Sequence, residues 1–334
     1  MVHSDSVVWD LLKRKRISKT ELKRLGEEEL ISLTEDQLTN YSEDHILNTE
    51  KALRKQREQT NVCSFYFHTK KIYTGYEDGI ICCWSSETGE LSSLLLGHTN
   101  RINALTGTDQ DKIFSCSNDC TVRMWNSSTG VCENIFKFGD PVSDIAISIT
   151  HNMMYTASWD KMVRVIDLEA SKVIKSFVAS KEAIKKMLVT DTMIFVAGCD
   201  PIIRGFDLET GDTKEYQGHT GWVYDLKVQG EHLFSGGDDK SIKVWDIEST
   251  KMVDELLAHE NGVTCLTFAN NDLYTGSFDH YIYCWDLPEI KNRIVERDMM
   301  REEDIRSRKI EVFSRLMFKK KKKGGKRKAG KKRK

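Results

Sequence analysis

Proline and long apolar runs are scarce in this sequence of 334 residues. Only three prolines occur, Pro141, Pro201 and Pro288, so no proline-rich linker separates one domain from another. No run of about 18 apolar residues is present that could cross a bilayer. The first ten residues hold no apolar core of the kind that a signal peptide needs. These absences argue against a membrane-spanning protein and against secretion.

Cysteines are present, but they lack the pattern of a disulfide framework or of a metal site. There are nine, an odd number, and no two are spaced as Cys-x-x-Cys. This pattern predicts a reduced cytosolic or nuclear protein whose thiols are buried in strands. A zinc site built on Cys116 and Cys120 with distant ligands is a weaker alternative, and we expect no metal.

Catalytic motifs are missing as well. The sequence has no glycine-rich phosphate loop, no paired-carboxylate constellation and no histidine cluster with metal-ligand spacing. Ser, His and Asp do recur together, but the same trio appears three times and no nucleophile elbow accompanies it. We therefore expect a protein that is not an enzyme, with no cofactor and no small-molecule substrate.

Charge is distributed unevenly along the chain. The formal net charge is −1, yet residues 319–334 contain twelve Lys or Arg and no acid. The rest of the chain therefore carries 38 basic and 51 acidic groups, a net charge of −13. An acidic body with a basic tail predicts two different kinds of partner.

What the sequence does contain is a repeat. An aspartate within a turn pattern recurs at intervals of 41, 41, 40, 39 and 40 residues, at Asp78, Asp119, Asp160, Asp200, Asp239 and Asp279. Six positions after each aspartate stands a large apolar residue, namely Trp84, Trp125, Ile166, Phe206, Trp245 and Trp285. A period of about 40 to 45 residues that ends in Trp-Asp is typical of a propeller blade. Residues 59–297 are therefore predicted to form an all-β propeller of four-stranded blades.

The repeats resemble those of the WD-repeat family, and the resemblance covers residues 59–297. In that family a His, a Ser or Thr, an Asp and a Trp form a buried hydrogen-bonded tetrad within one blade. Because a buried Asp and His must satisfy each other or lose solvation, such a set is structural. Carried over position by position, the resemblance implies three complete tetrads: His98, Ser115, Asp119 and Trp125; His219, Ser235, Asp239 and Trp245; and His259, Thr275, Asp279 and Trp285.

Three repeats depart from this pattern. The first has Glu58 where the histidine would stand, the third lacks both the histidine and the tryptophan, and the fourth has Ser180 and Val196 in place of His and Ser/Thr. We expect these blades to depend more on apolar packing. We also expect Asp200, in the fourth repeat, to be short of a hydrogen-bond partner.

The sequence alone leaves the number of blades open. Six repeats are readable, whereas many members of the family have seven blades. The last repeat offers only residues 290–297 as its outer strand. A six-bladed ring is favoured, and the alternative is a gap filled by a degenerate seventh blade or by a partner. An exposed edge strand at such a gap would promote association with another chain.

The resemblance also indicates where partners bind. In the family they lie across the face formed by the loops before the inner strands and by the turns that carry the aspartate. Aromatic residues and arginine are the usual anchors of interfaces. The candidate partner-binding residues on this face are Arg101, Trp159, Trp222 and Phe278, with the turn residues Glu77 and Asp238. For each aromatic ring, the alternative is that it folds down onto a neighbouring blade.

Segments of other composition flank the propeller. Capping boxes at residues 18–21 and 34–37 predict helices in an amino-terminal arm, residues 1–58, which packs on the propeller or docks a partner. Residues 298–318 are rich in helix formers and predict one more helix. Residues 319–334 predict a disordered tail. Its basic residues are Lys319, Lys320, Lys321, Lys322, Lys323, Lys326, Arg327, Lys328, Lys331, Lys332, Arg333 and Lys334.

The tail and the propeller together set the functional interpretation. The tail favours nuclear or nucleolar targeting, with contact to RNA or DNA phosphates as the second interpretation and an anionic membrane surface as a third, disfavoured one. We interpret the protein as a non-catalytic scaffold or adaptor that binds other proteins on the propeller face, in the nucleus or nucleolus with a cytoplasmic pool as an alternative. The competing hypothesis is an RNA-associated factor, in ribosome assembly or RNA processing, whose tail contacts the nucleic acid.

Overall fold

The computed structural model describes residues 60–108, 111–148, 150–297 and 299. The predicted amino-terminal arm (1–58) and basic tail (319–334) lie outside the described residues, as does the predicted second helix (298–318) except for residue 299. Within the described part of the chain, no helix has the length and apolar character needed to cross a membrane.

The described residues form 23 strands in six antiparallel sheets. The first blade contains β1 (Val62–His68), β2 (Lys71–Tyr76), β3 (Ile81–Ser85) and β4 (Leu91–Leu95). The second contains β5 (Ile102–Thr108), β6 (Lys112–Ser117), β7 (Thr121–Asn126) and β8 (Cys132–Lys137). The third contains β9 (Val142–Ser148), β10 (Met153–Ser158), β11 (Met162–Asp167) and β12 (Lys172–Val178).

The second half of the chain repeats this plan. The fourth blade contains β13 (Ile184–Val189), β14 (Met193–Gly198), β15 (Ile203–Asp207) and β16 (Thr213–Tyr216). The fifth contains β17 (Val223–Gln229), β18 (His232–Gly237), β19 (Ser241–Asp246) and β20 (Met252–Leu257). The sixth has three strands, β21 (Val263–Ala269), β22 (Asp272–Ser277) and β23 (Ile282–Asp286). Each strand pairs with its neighbour in sequence, so the predicted six-bladed propeller is confirmed.

The recurring aspartate makes the tight turn between the second and third strands of each blade. Its carboxylate accepts a hydrogen bond from the backbone N–H two residues later, as in Asp119 to Thr121 at 2.9 Å and Asp279 to Tyr281 at 2.9 Å. In five of the six blades the next residue has a positive φ, for example 65° at Cys120; in the fourth blade this residue is Pro201. Asp is suited to this position because its short side chain can bond to the turn that it starts.

The hydrophobic core lies between the blades. We call the surface of a blade that looks toward the next blade in sequence its forward face, and the opposite surface its backward face. On the forward face of the fifth blade, Ile242 and Val244 pack with Val263 and Leu266 from the backward face of the sixth. This arrangement is sheet-on-sheet packing, in which alternate residues of each strand enter the interface.

The prediction that residues 290–297 form an outer strand was wrong, because this segment belongs to a helix, α1, over residues 287–297. Asp286 accepts a hydrogen bond from the backbone N–H of Glu289 at 2.9 Å, as a helix N-cap does. Leu287, Ile290 and Ile294 recur at helical spacing and are buried against the fifth blade. The apolar period of this segment is therefore that of a helix and not of a strand.

Candidate protein-interaction face

One backbone arrangement recurs at the same end of every blade. The residue that precedes each turn aspartate donates its backbone N–H to the carbonyl of a residue in the loop before the inner strand, at 2.7–3.3 Å. The six donors are Glu77, Asn118, Trp159, Cys199, Asp238 and Phe278. The structure therefore places these side chains at equivalent positions, one in each blade, on one face of the propeller. We call this the turn face.

A β-bulge adds a second set of side chains to the turn face. In the inner strands of the fourth and fifth blades, the strand register shifts between Ile184 and Lys186 and between Val223 and Asp225. The bulged residues are Lys185 and Tyr224. A bulge bends its strand and redirects the extra side chain, so these two residues join the turn face.

Five residues from three blades meet there, and we call them the aromatic patch: Lys185, Trp222, Tyr224, Asp238 and Phe278. The Tyr224 ring makes edge contacts with Phe278, at 5.6 Å between ring centroids, and with Trp222, at 6.5 Å. Trp222 and Phe278 nevertheless remain 46% and 54% exposed. Since large exposed aromatics that cluster mark interaction sites, the patch is the best candidate for a binding site on this face.

One cation and one carboxylate contact the rings of the aromatic patch. The Lys185 ammonium lies 4.2 Å from the centroid of the Trp222 ring and 5.3 Å from that of Tyr224, both within the range of cation–π attraction. Tyr224 donates its hydroxyl to Asp238 at 3.0 Å. Burial, followed by this bond to the carboxylate, raises the pKa of Tyr224 to about 12. The phenol therefore stays protonated and remains a donor at neutral pH.

The other predicted partner-binding residues lie apart from the patch. Arg101 and Glu77 face each other at 3.8 Å across the first and second blades, with both side chains about half exposed. Trp159, on the turn of the third blade, is 47% exposed. Among the described residues it makes no ring contact with the patch. Sequence reasoning thus found three members of the patch, and it missed Tyr224 and Lys185.

The hydrogen-bonded sets implied by the resemblance lie beneath the turn face. In the second blade, His98 Nδ1 is 2.7 Å from Asp119 and His98 Nε2 is 2.7 Å from Ser115 Oγ, which accepts from Trp125 Nε1 at 2.8 Å. The fifth blade shows the same distances within 0.1 Å for His219, Asp239, Ser235 and Trp245. In the sixth, His259, Asp279, Thr275 and Trp285 are joined at 2.8–3.0 Å.

Four segments of the chain match the family described as "WD domain, G-beta repeat": residues 89–126, 130–167, 212–246 and 250–286. The chain is a WD-repeat propeller. Each matched segment ends on the third strand of a blade, and the blades that lack a matched segment of this kind are the first and the fourth. Propellers of this family in general act as non-catalytic scaffolds that bind other proteins.

Curated relatives of this WD-repeat propeller are distant. The chain is 25% identical over 233 residues to the nuclear distribution protein nudF of Aspergillus niger, covering 68% of this chain and 44% of that protein. It is 28% identical over 211 residues to a p21-activated protein kinase-interacting protein 1-like of Xenopus laevis, covering 58% of this chain and 54% of that protein. The chain spans about half the length of the curated relatives that it matches.

The fourth blade replaces the missing histidine in an unexpected way. The expectation that Asp200 lacks a partner was wrong, because Arg204 Nη1 donates to its carboxylate at 2.7 Å, and Arg204 Nε reaches Glu215 at 3.2 Å. Asp200 and Arg204 are both buried. In the third blade, Arg164 pairs with Asp160 in the same manner. In the third and fourth blades, an arginine on the third strand thus neutralises the turn aspartate in place of the family's histidine.

A charged trio occupies equivalent positions of three inner strands. Lys186 of the fourth blade lies 3.0 Å from Asp144 of the third. Asp144 accepts the backbone N–H of Met187 at 2.9 Å, and Asp225 of the fifth blade accepts that of Leu266 at 2.8 Å. The charge of Asp144 raises the pKa of Lys186, whereas burial raises the pKa of Asp225. The trio therefore ties consecutive blades together with buried charge.

The tetrads predict how stability depends on pH. Burial lowers the pKa of His98, so its stabilising contribution falls as the pH drops below about 6.5, where the unfolded chain takes up the proton first. Burial opposes ionisation of Asp119 and Asp239, but their histidine partners outweigh it and lower both pKa values. Their contribution is present above about pH 4 and is lost below it.

We therefore expect the thermal unfolding midpoint to fall in two stages, first between pH 6.5 and 5 and again below about pH 4. Circular dichroism on heating at pH 7, 5 and 3 measures it. Asp119→Asn should keep the first stage, because the His98 ring stays buried, and weaken the second. A midpoint that is constant from pH 7 to 3 contradicts this account.

Proposed function

We propose that this WD-repeat propeller is a non-catalytic scaffold that binds a protein segment on the aromatic patch. The observation that carries the proposal is the convergence of Trp222, Tyr224 and Phe278 from two blades with Lys185 and Asp238 around them. Exposed aromatics at a well-packed site dominate the energy of many interfaces. Propellers of this family generally act as scaffolds, which supports the proposal. The aromatic patch is where we expect the partner to bind.

The chemistry of the patch describes the expected ligand. Trp222 and Phe278 flank Tyr224 and offer apolar surface to an aliphatic or aromatic side chain. Asp238, which already accepts from Tyr224, supplies a carboxylate for a second donor. Lys185 lies over the tryptophan ring and adds a cation to the patch. The partner is therefore a segment that carries an apolar anchor and an adjacent hydrogen-bond donor or cation.

Trp222→Ala and Phe278→Ala should each weaken binding of this partner by about 2 kcal/mol or more, roughly 30-fold in Kd. The test is quantitative affinity purification from cells with the full chain, followed by calorimetry with the partner recovered. Ile174→Ala is a matched control, since Ile174 is 55% exposed but lies on the outer strand β12.

Two outcomes would decide against the patch. One is recovery of the same partners at the same yield with Trp222→Ala as with the control. The other is an equal loss with Ile174→Ala, which would indicate unfolding. Trp159→Ala shows whether the contact extends to the third blade, and Arg101→Ala whether it reaches the Arg101–Glu77 pair.

The basic tail supports a second proposal, which concerns the location of the protein in the cell. Residues 319–334 contain twelve cations and no acid, and a cluster of this kind is recognised by nuclear import receptors. We expect a fluorescent fusion of the full chain to be nuclear and a version that ends at Phe318 to be cytoplasmic or evenly distributed. Trp222→Ala should remain nuclear. Nuclear retention without the tail would refute the role of the tail as an address.

The competing role of the same tail is contact with RNA. Electrostatic binding to phosphates weakens steeply with salt, whereas import does not require RNA. Purifications of the full chain with and without ribonuclease distinguish the two. If partners disappear with ribonuclease or on removal of the tail, and Trp222→Ala has no effect, the RNA-associated function replaces the scaffold.

A further inference from the structure

On the backward face of the first blade the inner strand is exposed, in contrast to the inner strand of every other blade. Val62 is 53% exposed. The residues at the equivalent position of the other inner strands, Ile102, Val142, Ile184, Val223 and Val263, are all 0% exposed. Phe65 is 75% exposed, while its counterparts Leu105, Ile145, Met187, Leu226 and Leu266 are at most 8% exposed. The residues that elsewhere enter an interface between blades thus face solvent here.

The forward face of the sixth blade shows the complementary exposure. Ile282 is 77% exposed, while its counterparts Ile81, Val122, Val163, Ile203 and Ile242 are 0% exposed. Cys265 and Cys284 on the same face are also exposed. The outer edge of β23 pairs with no strand in the described part of the chain.

These two faces belong to one gap in the ring. Inner strands pack against each other from each blade to the next, β1 on β5, β5 on β9, β9 on β13, β13 on β17 and β17 on β21. Within the described ranges, β21 and β1 make no comparable contact. An apolar sheet face on each side and an unpaired strand edge are surfaces that proteins normally cover.

The sequence offers an occupant. The 59 residues before Thr60 lead directly into β1, which forms one wall of the gap. That length exceeds the 39 to 41 residues of one blade repeat. Residues 7–12 read Val-Val-Trp-Asp-Leu-Leu, a run with five apolar residues out of six. We propose that residues 1–59 of this chain occupy the gap, with residues 7–12 against the exposed faces of the sixth and first blades.

Two cysteines in the gap make the proposal testable in the intact chain. The rate of alkylation at Cys265 and Cys284 is followed by peptide mass spectrometry in the purified full-length protein and in the variant Val7→Asp/Trp9→Asp. We expect the reaction to be at least about tenfold faster in the variant. A change of this size follows if the segment covers the gap in about ten of every eleven molecules and the substitutions release it. The partly exposed Cys120, on a turn of the second blade, serves as a reference and should not change.

Controls separate docking from other causes. Ser4→Asp/Ser6→Asp adds the same charge beside the run without removing apolar side chains, so it should react as the wild type does. Cys83 and Cys116, which are fully buried between blades, must stay unreacted, since their labelling would report unfolding.

Two results would overturn the proposal. Fast reaction of Cys284 in the wild type, at the rate of an unfolded thiol, means that the gap is open in the isolated chain. Slow reaction that depends on protein concentration means that a second copy covers it.

Discussion

Replacing Arg204 by Met should lower the free energy of unfolding by about 3–5 kcal/mol, the usual cost of breaking a buried ion pair by removing one partner. The reason lies in Asp200, which is buried and whose carboxylate is bound by the Arg204 guanidinium at 2.7 Å. Without the arginine, this carboxylate remains in the interior with no cation. Urea unfolding followed by circular dichroism measures the change, provided that the slope m is unchanged.

The double variant Asp200→Asn/Arg204→Met is the control for this prediction. Asparagine can still accept the N–H of Ile202, as Asp200 does at 3.0 Å, but it carries no charge that needs a partner, so the double variant should recover most of the lost stability. If it is as unstable as Arg204→Met alone, the loss comes from packing around the arginine stem and not from the unpaired charge.

Lys186→Met should have the second largest effect, about 2–3 kcal/mol at pH 7, below the full cost of a buried pair because the ammonium is partly exposed. Asp144 loses its 3.0 Å partner, and Asp225 loses the charge that most strongly favours its ionised form. The backbone N–H groups of Met187 and Leu266, which donate to these two carboxylates, would then have to stabilise buried, unbalanced charge.

The pH dependence distinguishes this electrostatic cause from a packing defect. A carboxyl group whose folded pKa is raised destabilises the protein at high pH and recovers stability as the pH falls through that pKa. Burial already raises the pKa of Asp225, and removal of Lys186 should raise it further. The deficit of Lys186→Met should therefore shrink between pH 7 and pH 5. A deficit that is independent of pH would contradict the assignment.

The blades and the turn positions could be predicted from the sequence because local chemistry specifies them. The aspartate that accepts a backbone N–H two residues later is visible as a residue type at a fixed spacing, and so are the apolar positions of the third strand. The place of Trp222 and Phe278 on a loop and on a turn is visible in the sequence too. The exposure of their rings, 46% and 54%, is not, because each ring could also have packed against a neighbouring blade.

The remaining features depend on contacts between segments. Tyr224 and Lys185 reach the turn face through β-bulges, which shift the register without a local sequence signal. Arg204 appears as an ordinary strand residue until the hydrogen bond to Asp200 is seen. Residues 287–297 could have been identified as a helix, since Asp286 and Glu289 form a capping pattern and Leu287, Ile290 and Ile294 have helical spacing. The repeat pattern favoured a strand there and hid that signal.

The recurring backbone bond beneath the turn face fixes the loops without using the side chains that the face presents to a partner. At each of the six positions before a turn aspartate, the main chain alone supplies the bond that fixes the loop. The side chain there does not take part in this bond, and the six blades carry six different ones: Glu77, Asn118, Trp159, Cys199, Asp238 and Phe278. Substitutions at these sites leave the bond in place, so that the choice of partner can evolve while the backbone framework that presents it is inherited unchanged.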